Sequence, residues 1–156
     1  SKYRGFNDQA FLVDFGDLTA NRFRAINQFT IEGSKQLRRP DIVCFINGLP
    51  LAMLELKSPG AENLSIWDAF HQVQTYKDEI PDLFAYNEAA IISDGYLARV
   101  GSLTASQERY MPWRTVKHED DKPQLEWQLE TMVRGFFDRE LFLDYIRYFV
   151  IFETDA

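Results

Sequence analysis

The sequence predicts an α/β (α+β) fold, a mixed β-sheet flanked by helices. Two short apolar runs at 41–46 and 51–57 are separated by Asn47-Gly48-Leu49-Pro50, the pattern of a β-hairpin. Ser65 followed by Asp68, with Ile66, Phe70 and Val73 at helical spacing, predicts a capped helix directly afterwards. Further strand signals then give way to helix-period residues near the end, so strands and helices mix without the strict alternation of a parallel fold. A length of 156 residues predicts a single domain over 1–156, with a core at about 20–117 and C-terminal helices at 124–152.

In chain order, Phe23, Ala25, Asn27, Phe29 and Ile31 alternate with polar partners, which predicts one strand over 21–31. Gly33-Ser34-Lys35-Gln36 is a turn, and Ser58-Pro59-Gly60 ends the second hairpin strand. The helix is predicted over 65–77. A buried strand at 89–93 turns at Asp94-Gly95 and returns over 96–101, and 110–116 is a candidate edge strand. The stretch from His118 to Pro123 is a polar loop. Leu125, Leu129, Met132, Val133 and Phe136 repeat at helix period, and a last helix is expected over about 140–149.

Composition narrows the class. A hydrophobic share of 46%, with aromatics making up 15% of all residues, excludes a disordered protein. A single cysteine, Cys44, excludes an internal disulfide and suits a cytoplasmic protein with a reduced, buried thiol. No stretch has the length of a membrane span and the start lacks a signal-peptide layout. The opening on Ser and the stop at Thr154-Asp155-Ala156, directly after a long aromatic helix pattern, lead us to expect a piece of a larger protein. The formal charge of −7 opposes strong phosphate binding, so any nucleic-acid affinity of this domain alone should be weak.

The chemistry is concentrated in Asp41, Glu55 and Lys57. Side chains alternate along a strand, so Glu55 and Lys57 share one face while Leu54 and Leu56 take the other. Pairing from a strict two-residue turn at Asn47-Gly48 would set Asp41 opposite Leu54, on the wrong face. An odd-length loop or a bulge is therefore required to bring Asp41 to Glu55, and Pro50 and Gly48 make one credible. Two converging carboxylates and the Leu56 backbone carbonyl suit Mg²⁺, with Lys57 beside an attacking water. A plain exposed strand face with a turn acid at Asp41 gives the same letters, since D-x(n)-E-x-K is a weak pattern. On the following helix Gln72 and Tyr76 lie one turn apart and point toward the same side.

The segments Arg39-Pro40-Asp41-Ile42-Val43, Asn47-Gly48-Leu49-Pro50-Leu51, Glu55-Leu56-Lys57-Ser58-Pro59 and Gln72-Val73-Gln74-Thr75-Tyr76 resemble the N-terminal nuclease region of type I restriction endonuclease R subunits. The acidic pair with a Gln-x-x-x-Tyr helix is similar to the RecB-like branch of the PD-(D/E)XK superfamily, which implies a restriction-endonuclease-like core. The resemblance implies metal ligation by Asp41 and Glu55, a catalytic Lys57 and supporting roles for Gln72 and Tyr76. It implies Mg²⁺, replaceable by Mn²⁺, and double-stranded DNA as substrate. The expected partners are motor domains of the same chain and separate methylation and specificity subunits. ATP belongs to the motor, since no G-x-x-x-x-G-K-[ST] loop occurs here. Members often add an upstream acid, for which Asp8, Asp14 and Asp17 are the candidates.

Other groupings carry less. His71 and His118 lack ligand spacing, and neither His has a nucleophile beside it. The aromatic residues from Phe136 to Phe152 are interleaved with acids and read as packing rather than base stacking. Two rivals remain beside the nuclease: a catalytically idle docking module of the same complex and a stand-alone repair nuclease.

Overall fold

The computed structural model describes residues 12–33, 36–59, 65–117 and 127–150. A five-stranded mixed sheet runs in the order β1-β4-β5-β6-β7, formed by β1 (Phe23–Asn27), β4 (Ile42–Ile46), β5 (Leu49–Leu56), β6 (Ala89–Ser93) and β7 (Ala98–Gly101). Between β1 and β4, β2 (Ile31–Glu32) and β3 (Leu37–Arg38) form a separate two-stranded ladder. All neighbours in the large sheet are antiparallel except β5 and β6, which are parallel and joined through helix α1 (Ile66–Glu79). A parallel pair needs such a crossover, and this one lays a helix on the sheet. The result is the α/β class read from the sequence, consistent with a restriction-endonuclease-like core.

Each face of the sheet has its own core. On one, Val43, Met53, Ala90 and Ile92 pack under Ile66, Ala69, Phe70 and Val73 of α1. On the other, Ala52, Leu54, Ile91 and Val100 meet Met132, Phe136, Phe142 and Leu143 from the C-terminal helices. Every residue of β6 is buried, as a central strand covered on both sides must be.

The start of α1 follows its sequence signal. The Ser65 side chain accepts from the Trp67 amide while Asp68 accepts from the Ser65 amide at 2.6 Å, closing the capping box. The helix extends to Glu79, past its expected end. The C-terminal helices are less regular. Helix α2 (Gln128–Thr131) widens into π turns over Met132–Phe136, and α3 (Arg139–Asp144), capped by Asp138, widens over Tyr145–Phe149.

Three expectations are corrected. The single strand over 21–31 is broken, because Gln28 takes a positive φ of 50° that ends β1 and leaves Ile31 to the small ladder. The edge strand at 110–116 reduces to one bridge between Val100 and Met111. The return strand begins at Ala98, since the Asp94 carboxylate accepts from the Tyr96 and Leu97 amides and holds both in the turn. The expected turn residues Ser34, Lys35 and Gly60, the polar loop with His118, and the helical Leu125 lie outside the described residues.

Candidate active site

The hairpin solves the parity problem with a bulge. Asn47 and Gly48 have φ values of 54° and 91°, the signature of a tight two-residue type I′ turn, and Ile46 pairs with Leu49. Phe45 pairs with Pro50 but Cys44 pairs with Ala52, so Leu51 is the extra residue. Leu51 and Ala52 consequently pack into the same core, although they are consecutive. Beyond the bulge Val43 faces Met53 and Ile42 faces Leu54. Continuing that register by one residue sets Asp41 across from Glu55, on the α1 face.

Asp41 is held at both oxygens. Its Oδ2 accepts from the Leu56 amide at 2.8 Å and its Oδ1 from the Gln28 side chain at 2.8 Å. The Gln28 amide also donates to the Asp41 carbonyl at 2.9 Å. Gln28 went unrecognised in the sequence. Its role depends on a left-handed residue at the end of β1 reaching a strand paired from far along the chain, and no local pattern records that.

Glu55 is 5% exposed. Its Oε1 accepts from Lys57 Nζ at 3.0 Å, while its Oε2 is buried with no hydrogen-bond partner. Burial pushes its carboxyl above the usual range; the Lys57 bond opposes this, the Asp41 charge adds to it, and the Tyr76 hydroxyl is near enough to the carboxylate to lower it slightly even though it makes no full hydrogen bond to Oε2. Buried carboxylate oxygens are ordinarily paired, so this one is an exception that calls for an explanation. Lys57 is fixed through its own amide, which donates to the Ser93 carbonyl at 2.8 Å and extends the β5–β6 ladder.

Tyr76 is buried on α1, and its hydroxyl donates to the Arg39 carbonyl at 3.5 Å. Burial, followed by the nearby charges of Glu55 and Asp41, pushes its phenol far up, so it stays a neutral hydrogen-bonding group. Gln72 lies half-buried one turn earlier and makes no hydrogen bond to another described residue. The structure thus gathers Asp41, Glu55, Lys57 and Tyr76, and leaves Gln72 on the same helix without a hydrogen-bond partner among the described residues. Leu56 enters through its amide on Asp41.

Of these, Asp41, Leu56 and Lys57 border an open cleft of about 540 Å³ together with Gln28, Ser58 and Gly95, while Glu55 and Tyr76 lie outside its lining. A smaller and more apolar hollow of about 260 Å³, bordered by Phe23, Cys44 and Phe142, contains none of the four gathered residues. Arg24 and Arg139 also line it, but no carboxylate does. Cys44 is half-buried there, and burial pushes its thiol up to about 11, away from the thiolate form that a nucleophile needs.

Of the upstream acids, the two described ones are engaged locally. Asp14 accepts from the Gly16 and Asp17 amides and Asp17 from the Thr19 amide and hydroxyl, which are local loop bonds, while Asp8 lies outside the described residues. Among the described residues no group of three or more His, Cys, Asp or Glu side chains is placed to hold a metal. His71 is exposed, with its ring edge against Phe70. No described helix is long and apolar enough to cross a membrane.

Residues 2–109 match the family model described as type I restriction enzyme R protein N terminus. The chain is 48% identical over 148 residues to the type I restriction enzyme HindI endonuclease subunit of Haemophilus influenzae, covering 93% of this chain and 14% of that protein. It is 32% identical over 159 residues to a putative type I restriction enzyme endonuclease subunit, MjaIXP, of Methanocaldococcus jannaschii, covering 90% and 15%. A subunit of the same kind from Staphylococcus aureus strain COL is 33% identical over 138 residues, covering 86% and 14%. The chain therefore spans about one seventh of the length of these relatives. Matched over most of its length by that model, the chain belongs to the type I restriction enzyme R protein N-terminal family.

Proposed function

We propose that this chain is the DNA-cleavage domain of a type I restriction enzyme, a type I site-specific deoxyribonuclease that hydrolyses phosphodiesters of double-stranded DNA endonucleolytically at a Mg²⁺-dependent PD-(D/E)XK site. The observation that carries the reading is the Oε2 of Glu55, buried without a hydrogen-bond partner, on a strand whose register, continued by one residue, sets Asp41 across from Glu55. An acid is buried in this way at a cost of several kcal/mol unless something pairs with it. Two carboxylates with a backbone carbonyl are ample protein ligation for Mg²⁺, which keeps several of its waters. Asp41, Glu55 and the Leu56 carbonyl would hold the ion, with Mn²⁺ as a substitute. When bound, it neutralises charge on the attacked phosphate and makes a water more acidic.

The remaining work falls to the chain's own side chains. Lys57, tethered to Glu55, presents its ammonium to the cleft, where it orients the attacking water and offsets charge on the phosphate. Tyr76 stays neutral and keeps the carboxylates in place from the α1 side, with Gln72 supporting the same helix face. Gln28 keeps Asp41 pointed at Glu55.

Relatives of this chain are named as endonuclease subunits of type I restriction enzymes, which supports a multi-subunit setting; within it we propose motor domains in the same protein, methylation and specificity subunits alongside, and a cytoplasmic location. In that setting ATP serves the motor, and other parts of the complex supply the DNA affinity that a domain of charge −7 lacks.

The test is plasmid cleavage by the assembled enzyme carrying Asp41→Ala, Glu55→Ala or Lys57→Ala, with ATP hydrolysis followed in parallel. Cutting is expected to vanish while ATP hydrolysis persists. Undiminished cutting by all three variants would leave a docking module without chemistry.

A further inference from the structure

The strand register carries the carboxylate row further across the sheet. Glu55 pairs with Ile92, and Ile92 pairs with Arg99. Arg99 therefore stands in one cross-sheet row with Asp41 and Glu55, on the α1 face, two strand spacings or about 10 Å from Glu55 along the backbone. Its neighbours Ala98 and Val100 belong to the opposite core, which confirms the side it faces.

Arg99 is poorly satisfied for a half-buried cation. Its guanidinium lies over the Trp67 ring at 5.7 Å, and Nη1 donates to the Tyr110 carbonyl at 3.4 Å. Its Nε is buried with no partner, and among the described residues no carboxylate forms an ion pair with it. A guanidinium keeps its charge at any ordinary pH and presents a planar fork of donors that suits phosphate oxygens. Trp67 is in turn braced by Phe70 at 6.4 Å, so the ring that backs the guanidinium is itself held. The cleft beside them, about 500 Å³, is open and has Gln107 and Glu108 at its border. Glu108 is exposed, so its charge is the more screened of the two.

We propose that Arg99, backed by Trp67, binds a second phosphate of the DNA strand, displaced along the sheet from the one at Asp41 and Glu55. The proposal rests on the nuclease reading for the identity of the ligand. In a chain of net charge −7, cations that face the substrate must be individually placed, and Lys57 and Arg99 share this face.

The 156-residue chain, whose sheet is packed on both faces by its own helices, suits an NMR test. A 5′-phosphorylated thymidine dinucleotide is titrated into the ¹⁵N-labelled protein without metal, with inorganic phosphate as a second arm. The Arg99 Nε–H signal, assigned by its loss in Arg99→Lys, and the Trp67 indole N–H, assigned by its loss in Trp67→Phe, are expected to shift and saturate together. They should do so in Asp41→Ala as well. Dinucleotide affinity is expected to fall about tenfold in Arg99→Gln and to recover in part in Arg99→Lys. An Arg99 signal that stays still, or equal affinity in a folded Arg99→Gln protein, overturns the subsite. The two failures separate: a chain that shifts at Arg99 but takes up no Mg²⁺ keeps its anion site and loses the nuclease reading.

Discussion

Asp41 reaches Glu55 only because Leu51 is an extra residue in the strand between them. Without that bulge the tight turn at Asn47 and Gly48 would pair Asp41 with Leu54 and send its carboxylate to the opposite core. The site is thus a property of register, and its parts respond separately to substitution.

Glu55 is a buried acid whose only side-chain ion pair among the described residues is with Lys57. Burial raises its carboxyl above the ordinary value of 4.5, so the proton is bound more tightly in the folded state than in the unfolded one. The stability this contributes is complete below the unfolded value and is lost as pH rises through the folded one. At neutral pH, without metal, Glu55→Gln is therefore expected to melt a few degrees higher than wild type, a gain on the order of 1 kcal/mol. The gap should close toward pH 4, where wild-type Glu55 is itself protonated. Thermal melts across pH check this, and a Glu55→Gln protein less stable at neutral pH would contradict it.

Gln28 pits fold against site. Its φ of 50° costs about 1 kcal/mol for a residue with a Cβ, a cost that glycine does not carry. Gln28→Gly is expected to leave the fold as stable or more so, while weakening Mg²⁺ affinity about 10-fold to 100-fold through the lost bond to Asp41. Gln28→Ala should lose the same affinity without the backbone relief. Calorimetric metal titration beside thermal melting separates the two effects, and unchanged affinity in both variants would remove Gln28 from the site.

Lys57 separates metal binding from turnover. With Lys57→Met the carboxylates remain, so Mg²⁺ binding is expected to persist while cleavage by the assembled enzyme falls about 100-fold to 10,000-fold. Parallel loss of metal affinity would instead make Lys57 a structural counter-ion of Glu55.

Much of this arrangement was legible because strand periodicity is local. Glu55 and Lys57 had to share a face, and the Ser65 and Asp68 cap announced α1, which carries Tyr76. The side taken by Asp41 was legible only as a condition, since two-residue turn chemistry and a bulge at Leu51 compete over one residue of register. Gln28 and Arg99 were not legible at all. Each acts across paired strands distant in sequence, and each looks like an ordinary surface residue in its own segment. The failed strand at 110–116 has a related cause, for alternation near Tyr110 reflects one ring packed against Phe70 and Gly101 rather than a ladder.

Whether the two acids share a cation is settled by anomalous diffraction from crystals of the chain soaked in Mn²⁺. The expected result is one peak between Asp41 and the Oε2 of Glu55, about 2.1 Å from each carboxylate. A map with no peak there, or with manganese bound only elsewhere, would contradict the site proposed for this chain.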